Sequence, residues 1–385
     1  MKWEMVKLGD ICDLSQGIQV DIKDQSLTKK GNQVRFLRII DFTQGGDAPR
    51  YIDNPGERYF LKENDLALVR YGSTGFVCRG LEGVIANNLF KVTPKQNTIT
   101  NDFLYWILIS DNFQNFVKLN NKGAALQAIS FGQIKAFQIP LPPLSVQKEI
   151  AEILDTADAL RKKDNELLKK YDELAQSIFI EMFGEPVRNE KRWEVKKLGD
   201  CIEFLTSGSR GWAKYYSDKG EIFLRINNVG YNELKIKNLA YVNAPENAEA
   251  KRTEVKSGDI LLSITADIGR TCVIPDNFSK AFINQHLTLI RLTKDFVPYY
   301  VSQLLSTNYG QNQIHKLNKG GVKAGLNFDD IKSIGLLKPP FELQVKYNMI
   351  ANQLRNQIDK INVAITHTNN LFHSLLQKAF KGELT

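Results

Sequence analysis

Several short runs in this chain combine glycine with cationic and amide side chains. The first half carries Arg70-Tyr71-Gly72-Ser73-Thr74-Gly75, Asn87-Asn88 and Lys122-Gly123. The second carries Ser207-Gly208-Ser209-Arg210-Gly211-Trp212, Lys214-Tyr215-Tyr216, Asn227-Asn228, Gln285-His286 and Lys319-Gly320-Gly321-Val322-Lys323. Glycine lets a backbone approach phosphate closely, and Lys and Arg neutralise it. Arg, Asn and Gln offer paired donors and acceptors that match guanine or adenine edges. Taken singly, each run reads as a turn with an aromatic cap; their recurrence at matched places points to a surface for a nucleic acid. The candidate contacts are therefore Arg70, Tyr71, Ser73, Asn87 and Lys122 in the first half. In the second they are Ser209, Arg210, Trp212, Lys214, Asn228, Gln285, His286, Lys319 and Lys323.

Residue sets for catalysis do not assemble in the same way. Of the four histidines, His286, His315, His367 and His373, the last two stand six apart, on different faces of a helix, and neither has a metal-ligand partner at workable spacing. Neither GxxxxGK[ST] nor a helix-opening GxGxxG occurs, so nucleotide hydrolysis and dinucleotide binding lack their usual signature. Lys338-Pro339-Pro340-Phe341 resembles the Asp/Asn-Pro-Pro-Phe/Tyr loop of adenine amino-methyltransferases, but that loop's first side chain must accept a hydrogen bond and Lys338 only donates. Pro245-Glu246 with Glu254-Val255-Lys256 approaches a metal-dependent nuclease pattern without its first aspartate, its spacing or a copy in the other half. Cys12, Cys78, Cys201 and Cys272 form no CxxC pair, which argues against zinc and disulfides and for a reducing, cytoplasmic setting. The opening residues carry no apolar signal core, and no window approaches a membrane span, so no membrane partner is expected.

The elements that must position these loops come in duplicate. Trp3-Glu4 and Leu8-Gly9-Asp10 recur as Trp193-Glu194 and Leu198-Gly199-Asp200, and Phe36-Leu37-Arg38-Ile39 recurs as Phe223-Leu224-Arg225-Ile226. Asp65, Gly75 and Cys78 return as Asp259, Gly269 and Cys272; Pro142-Pro143 returns as Pro339-Pro340. A period near 190 residues is too long for a solenoid, so each copy is a domain with a connector. Each copy opens with β-rich runs, such as Val34–Ile40 and Asp259–Ile264, and closes with a helix entered after its proline pair. In the first copy Ser145 suits the N-cap.

Those closing helices carry apolar positions spaced alternately 4 and 3. The first reads Val146, Ile150, Ile153, Ala157, Leu160, Asp164, Leu167, Tyr171, Leu174 and Ile178; the second runs from Leu343 and Tyr347 to Leu371 and Leu375, with polar breaks at Gln357 and Thr368. A heptad pattern of this length predicts a coiled-coil seam, most simply between the two helices. Charge is segregated as well. Residues 1–140 carry +3, 141–185 carry −4, 186–340 carry +7 and 341–385 carry +2, so a polyanion would bind the heads. The helices' outer faces are left for protein partners, with Glu149, Glu152, Arg161, Lys162, Lys346 and Arg355 as candidates.

Together these residues resemble the specificity subunits of type I restriction-modification systems. The resemblance rests on the Trp-Glu…Leu-Gly-Asp openings, Gly258-Asp259-Ile260-Leu261, Asn284-Gln285-His286, and above all the run from Pro140 to Ala151. It implies an α+β chain: a tandem duplication of two mixed α/β target-recognition domains joined by two long helices in an antiparallel coiled coil. The expected boundaries are 1–143 and 186–340 for the recognition domains, with spacer helices at 144–185 and 341–385. It further implies a non-catalytic, DNA-binding chain whose domains each read half of a split duplex target. Methylation and cleavage would belong to modification and restriction subunits, and S-adenosylmethionine would bind the modification subunit, with no cofactor on this chain. In the first copy Asn64-Asp65-Leu66 replaces Gly-Asp-Ile and Ala86-Asn87-Asn88 replaces Asn-Gln-His. The competing reading is a protein-interaction scaffold on a coiled coil with no role at DNA; it leaves the basic heads unexplained.

Overall fold

The computed structural model describes residues 3–43, 47–120, 128–318 and 325–384. The chain divides into two compact units: Met1–Glu166 together with Asn362–Thr385, and Leu167–Ile361. Both boundaries fall inside the long helices, Leu144–Phe183 and Phe341–Lys381, so each unit comprises one head and parts of both helices.

In the first unit a four-stranded antiparallel sheet runs in the order Cys12–Gln16, Leu89–Pro94, Leu66–Val69, Val77–Cys78. The second unit repeats that order with Ile202–Ser207, Leu287–Leu292, Ile260–Ser263 and Thr271–Val273. The inner strands Leu66–Val69 and Ile260–Ser263 are buried throughout, because apolar side chains meet core on both faces. A second four-stranded sheet in each unit contains one parallel pair, Val34–Leu37 with Gly83–Ile85 and Glu221–Leu224 with Ala281–Ile283. The β-run expected over Val34–Ile40 stops at Leu37. There Asp41 Oδ2 accepts from the Arg38 backbone N–H at 2.8 Å and turns the chain into a short helix, Ile39–Thr43.

Each head is closed by a two-stranded ribbon that sets the start of the repeat beside its end: Met5–Lys7 on Gln138–Pro140, and Glu194–Lys197 on Gly335–Lys338. A glutamine then clips each long helix to its head. Gln147 Oε1 accepts from Thr100 N at 2.9 Å while its Nε2 donates to Thr98 O and Pro142 O; Gln344 Oε1 accepts from Val297 N at 2.9 Å and its Nε2 donates to Pro339 O. Both side chains are fully buried, and each long helix begins directly after its proline pair. Ser145 is not the N-cap: the helix already begins at Leu144, and Pro143 O accepts from Gln147 N.

The long helices run antiparallel. In the first unit the Arg161 guanidinium lies 4.3 Å over the Phe372 ring, and Asp164 meets Thr368; in the second, Phe179 and Phe183 both pack on Tyr347 at 5.4 Å. The packed face is rotated from the expected seam. Ile150, Leu154, Phe179 and Phe183 are buried, whereas Ile153, Leu160, Leu167 and Leu174 are 36–46% exposed. The rotation follows from double duty, since the ends of the helix bury against their heads as well as against the other helix. Among the described residues, no helix is long and apolar enough to cross a membrane.

Candidate nucleic-acid interface

At one end of the main sheet in each unit, the same backbone hydrogen bonds recur at matched positions. Gly17 N donates to Leu89 O at 3.0 Å and Gly208 N to Leu287 O at 3.2 Å. Arg70 N reaches Asn88 O at 2.8 Å, and Ile264 N reaches His286 O at 3.0 Å. Ile129 N reaches Arg70 O at 3.0 Å, and its counterpart Leu326 N reaches Ile264 O at 2.9 Å. Glycine is obligatory at the first of these places. A Cβ on Gly17 or Gly208 would lie 2.2 Å from a carbonyl oxygen, of Ile85 or of Asn284. Each unit thus builds one frame from the segment after its first strand, the loop after its third, and the two-residue turn Asn87-Asn88 or Gln285-His286.

The side chains on this shared frame differ. In the first unit Gln16 Nε2 donates to Asn87 O at 2.8 Å, Asn87 Nδ2 donates to Gln19 Oε1 at 3.1 Å, and Tyr71 Oη stands 3.5 Å from Asn87 Oδ1. Arg70 lies 5.7 Å over the Phe90 ring, while its mate Ile264 is buried. In the second unit Gln285 Nε2 is 3.0 Å from His286 Nε2, and His286 Nδ1 is 2.5 Å from Thr265 Oγ1. With the amide donating, the ring proton sits on Nδ1 and points at the threonine. Ser209 bonds the Glu249 carboxylate and also accepts from Gly211 N at 3.3 Å. Ser73, Arg210 and Lys214 are exposed, Lys214 resting 5.0 Å over the Tyr215 ring.

Two of the expected contacts are interior. Trp212 is 3% exposed and packs on Phe223 and Phe282, so it anchors its loop from below. Asn228 is 1% exposed; its Oδ1 accepts from Arg225 N and its Nδ2 donates to Lys235 O, both at 3.0 Å. Neither side chain is available to a groove. Lys122, Lys319 and Lys323 lie outside the described residues, whose chain resumes at Ala128 and Gly325, bridged to Tyr71 and Thr265 in the frame. Sequence reasoning missed Gln16, Gln19 and Thr265. The repeat could have supplied them, because each stands at a fixed offset from a residue already singled out.

On the helices, Glu149, Glu152, Lys162 and Lys346 are exposed. Arg161 and Arg355 are instead engaged within their units, Arg161 on Asp158 and Phe372, and Arg355 3.8 Å over Tyr299, where burial lowers its guanidinium from the ordinary value.

The model of the type I restriction modification DNA specificity domain matches residues 1–170 and again 190–369. The chain belongs to that family. Among its relatives, the EcoBI specificity subunit of Escherichia coli is 22% identical, over 100% of this chain and 86% of its own length. The MjaVIII specificity subunit of Methanocaldococcus jannaschii is 24% identical, over 89% and 83%. The fold is shared with the S subunit of a type I system from M. genitalium, at a TM-score of 0.64 and 16% identity over 98% of this chain and 96% of that one. A solved chain from a study of type I complex assembly and conformational transition matches at a TM-score of 0.55 and 18% identity, over 100% and 98%.

Proposed function

We propose that this specificity-family chain selects the DNA sequence on which partner subunits act, each unit reading one half of a bipartite duplex target. The observation that carries the reading is the duplicated frame: one set of backbone bonds, presented twice, holding different polar side chains. A fixed holder with variable contents is what two unlike half-sites require. Cationic and glycine-rich loops supply affinity through phosphate contacts, and polar side chains at the turn supply choice through base edges. Because B-DNA turns once per ~10 base pairs, heads reading one face of the duplex contact half-sites about one turn apart, and the paired helices set the unread gap.

Chemistry is assigned to other chains. Methylation and cleavage belong to modification and restriction subunits, with S-adenosylmethionine bound by the modification subunit. The apolar stripe of Ile153, Leu160, Leu167 and Leu174 supports a protein partner along the first long helix, beside exposed Glu149, Glu152 and Lys162. A protein-only scaffold would account for that stripe but not for the net positive charge of both heads. Methylome sequencing of cells with and without this chain tests the proposal: a bipartite methylated motif should appear only with it, and its absence rejects the reading.

A further inference from the structure

Gln19 and Arg210 occupy the same place in the two frames, each two residues beyond the glycine that the frame requires, and both are exposed. Their chemistry is opposite in kind. Gln19 Oε1 accepts one bond from Asn87, which keeps a lone pair on that oxygen, and its amide N–H groups have no partner among the described residues. One donor beside one acceptor complements the adenine major-groove edge, where N7 accepts and the N6 amine donates. Arg210 carries donors only, and its guanidinium makes no ion pair or hydrogen bond among the described residues. Two parallel donors complement O6 and N7 of guanine.

Resting on the functional reading above, we propose that Gln19 and Arg210 are specificity-determining residues. Gln19 selects an adenine in the half-site of the first unit, and Arg210 selects a guanine in that of the second. Asn87 is a positioning residue for the first. Its side-chain N–H holds the Gln19 oxygen, while Gln16 holds its own carbonyl, so the amide is orientated before any duplex arrives.

The test is methylation mapping in cells carrying the modification subunit with the unaltered chain or a variant, backed by gel shifts on duplexes varied one base at a time. Gln19→Ala should make one adenine position degenerate in one half-site, with discrimination there falling roughly ten- to a hundredfold, and leave the other half-site intact. Arg210→Ala should do the same at one guanine of the other half-site. Gln19→Arg should move the preference at its position from adenine to guanine, and Asn87→Ala should weaken discrimination at that adenine alone. Melting temperatures establish that each variant folds; if an alanine variant melts early, Gln19→Leu and Arg210→Met, which keep the stem and lose the paired polar atoms, replace it. An unchanged motif in folded variants, a change of the same half-site by both, or a change at a base other than those stated overturns the assignment. If the unaltered chain itself directs no bipartite motif, the functional reading fails instead.

Discussion

Thr368 Oγ1 of the second long helix lies 3.0 Å from Asp164 Oδ2 of the first, so the polar breaks in two otherwise apolar patterns face each other. The hydroxyl also lies 3.1 Å from Ala364 O, but it has one proton, and a carboxylate is the stronger acceptor. A polar pair of this kind favours one register over its neighbours, because a slipped helix would leave the carboxylate against apolar side chains. A double-mutant cycle with Asp164→Ala and Thr368→Val should give a coupling of about 1 kcal/mol in urea unfolding. A coupling near zero would show that the two merely sit close.

Asp259 accepts from Arg291 Nε and Nη2, both at 2.8 Å, and from Lys256 N at 2.7 Å, while being wholly buried. Its mate Asp65 meets Lys91 at 2.7 Å and Lys62 N at 3.0 Å, and is partly exposed. Asp259→Ala removes a wholly buried carboxylate on which three donors converge and should cost about 3 to 5 kcal/mol. Asp65→Ala should cost only about 1 to 2 kcal/mol, since the Asp65 carboxylate is already partly exposed and Lys91 Nζ keeps Phe60 O at 2.7 Å. Equal losses in denaturant titrations would contradict this ranking.

Replacing Gln147 or Gln344 with leucine keeps the volume and removes every bond of the helix clip. Buried groups at Thr100, Thr98 and Pro142, or at Val297 and Pro339, then lose their partners, at about 3 kcal/mol in either unit. Hydrogen exchange should localise the loosening to the first turns of the long helix concerned. Protection that stays unchanged would mean that apolar packing alone seats the helices.

Combined alanine substitution at Arg70, Lys122, Arg210, Lys319 and Lys323 should weaken duplex binding in the presence of the modification subunit. Each phosphate contact removed makes the fall of log affinity with log salt less steep by about 0.9, while Arg210, assigned to a base edge, adds to the loss of affinity. An affinity and a slope both identical to those of the parent chain remove these residues from the interface.

Burial pushes the Cys12 and Cys78 thiols up to about 12, and raises Cys201 and Cys272 as well. A rise of about three units cuts the thiolate fraction roughly a thousandfold at a given pH, and the thiolate is the reactive form. Thiol reagents at pH 8 should therefore react with these cysteines slowly in the native chain and rapidly in denaturant. Rapid native labelling of Cys78 would disprove its burial.

The duplication, the long helices and the polar turns are legible in the residues because each rests on local signals: matched strings, heptad spacing, and glycine among amides. The role of Trp212 is not. A tryptophan between Gly211 and Ala213, two residues before Lys214, suits a stacking surface equally well, and only packing on Phe223 and Phe282 turns it inward. Asn228 is similar, since an amide that closes its own turn has the same identity as one that reads a base.

The seam shows the division most clearly. Spacing alone established that the segments from Leu144 and Phe341 are amphipathic helices, because backbone geometry repeats every 3.6 residues wherever the chain lies. It could not decide which stripe is buried, because that depends on every surface the helix meets, and here a helix end meets a head as well as another helix. Likewise the sequence alone determined that two similar domains present polar loops. Only the tertiary fold decided which of those side chains stand on one frame, because Gln16, Tyr71 and Asn87 are far apart in the chain and are brought together by strand pairing.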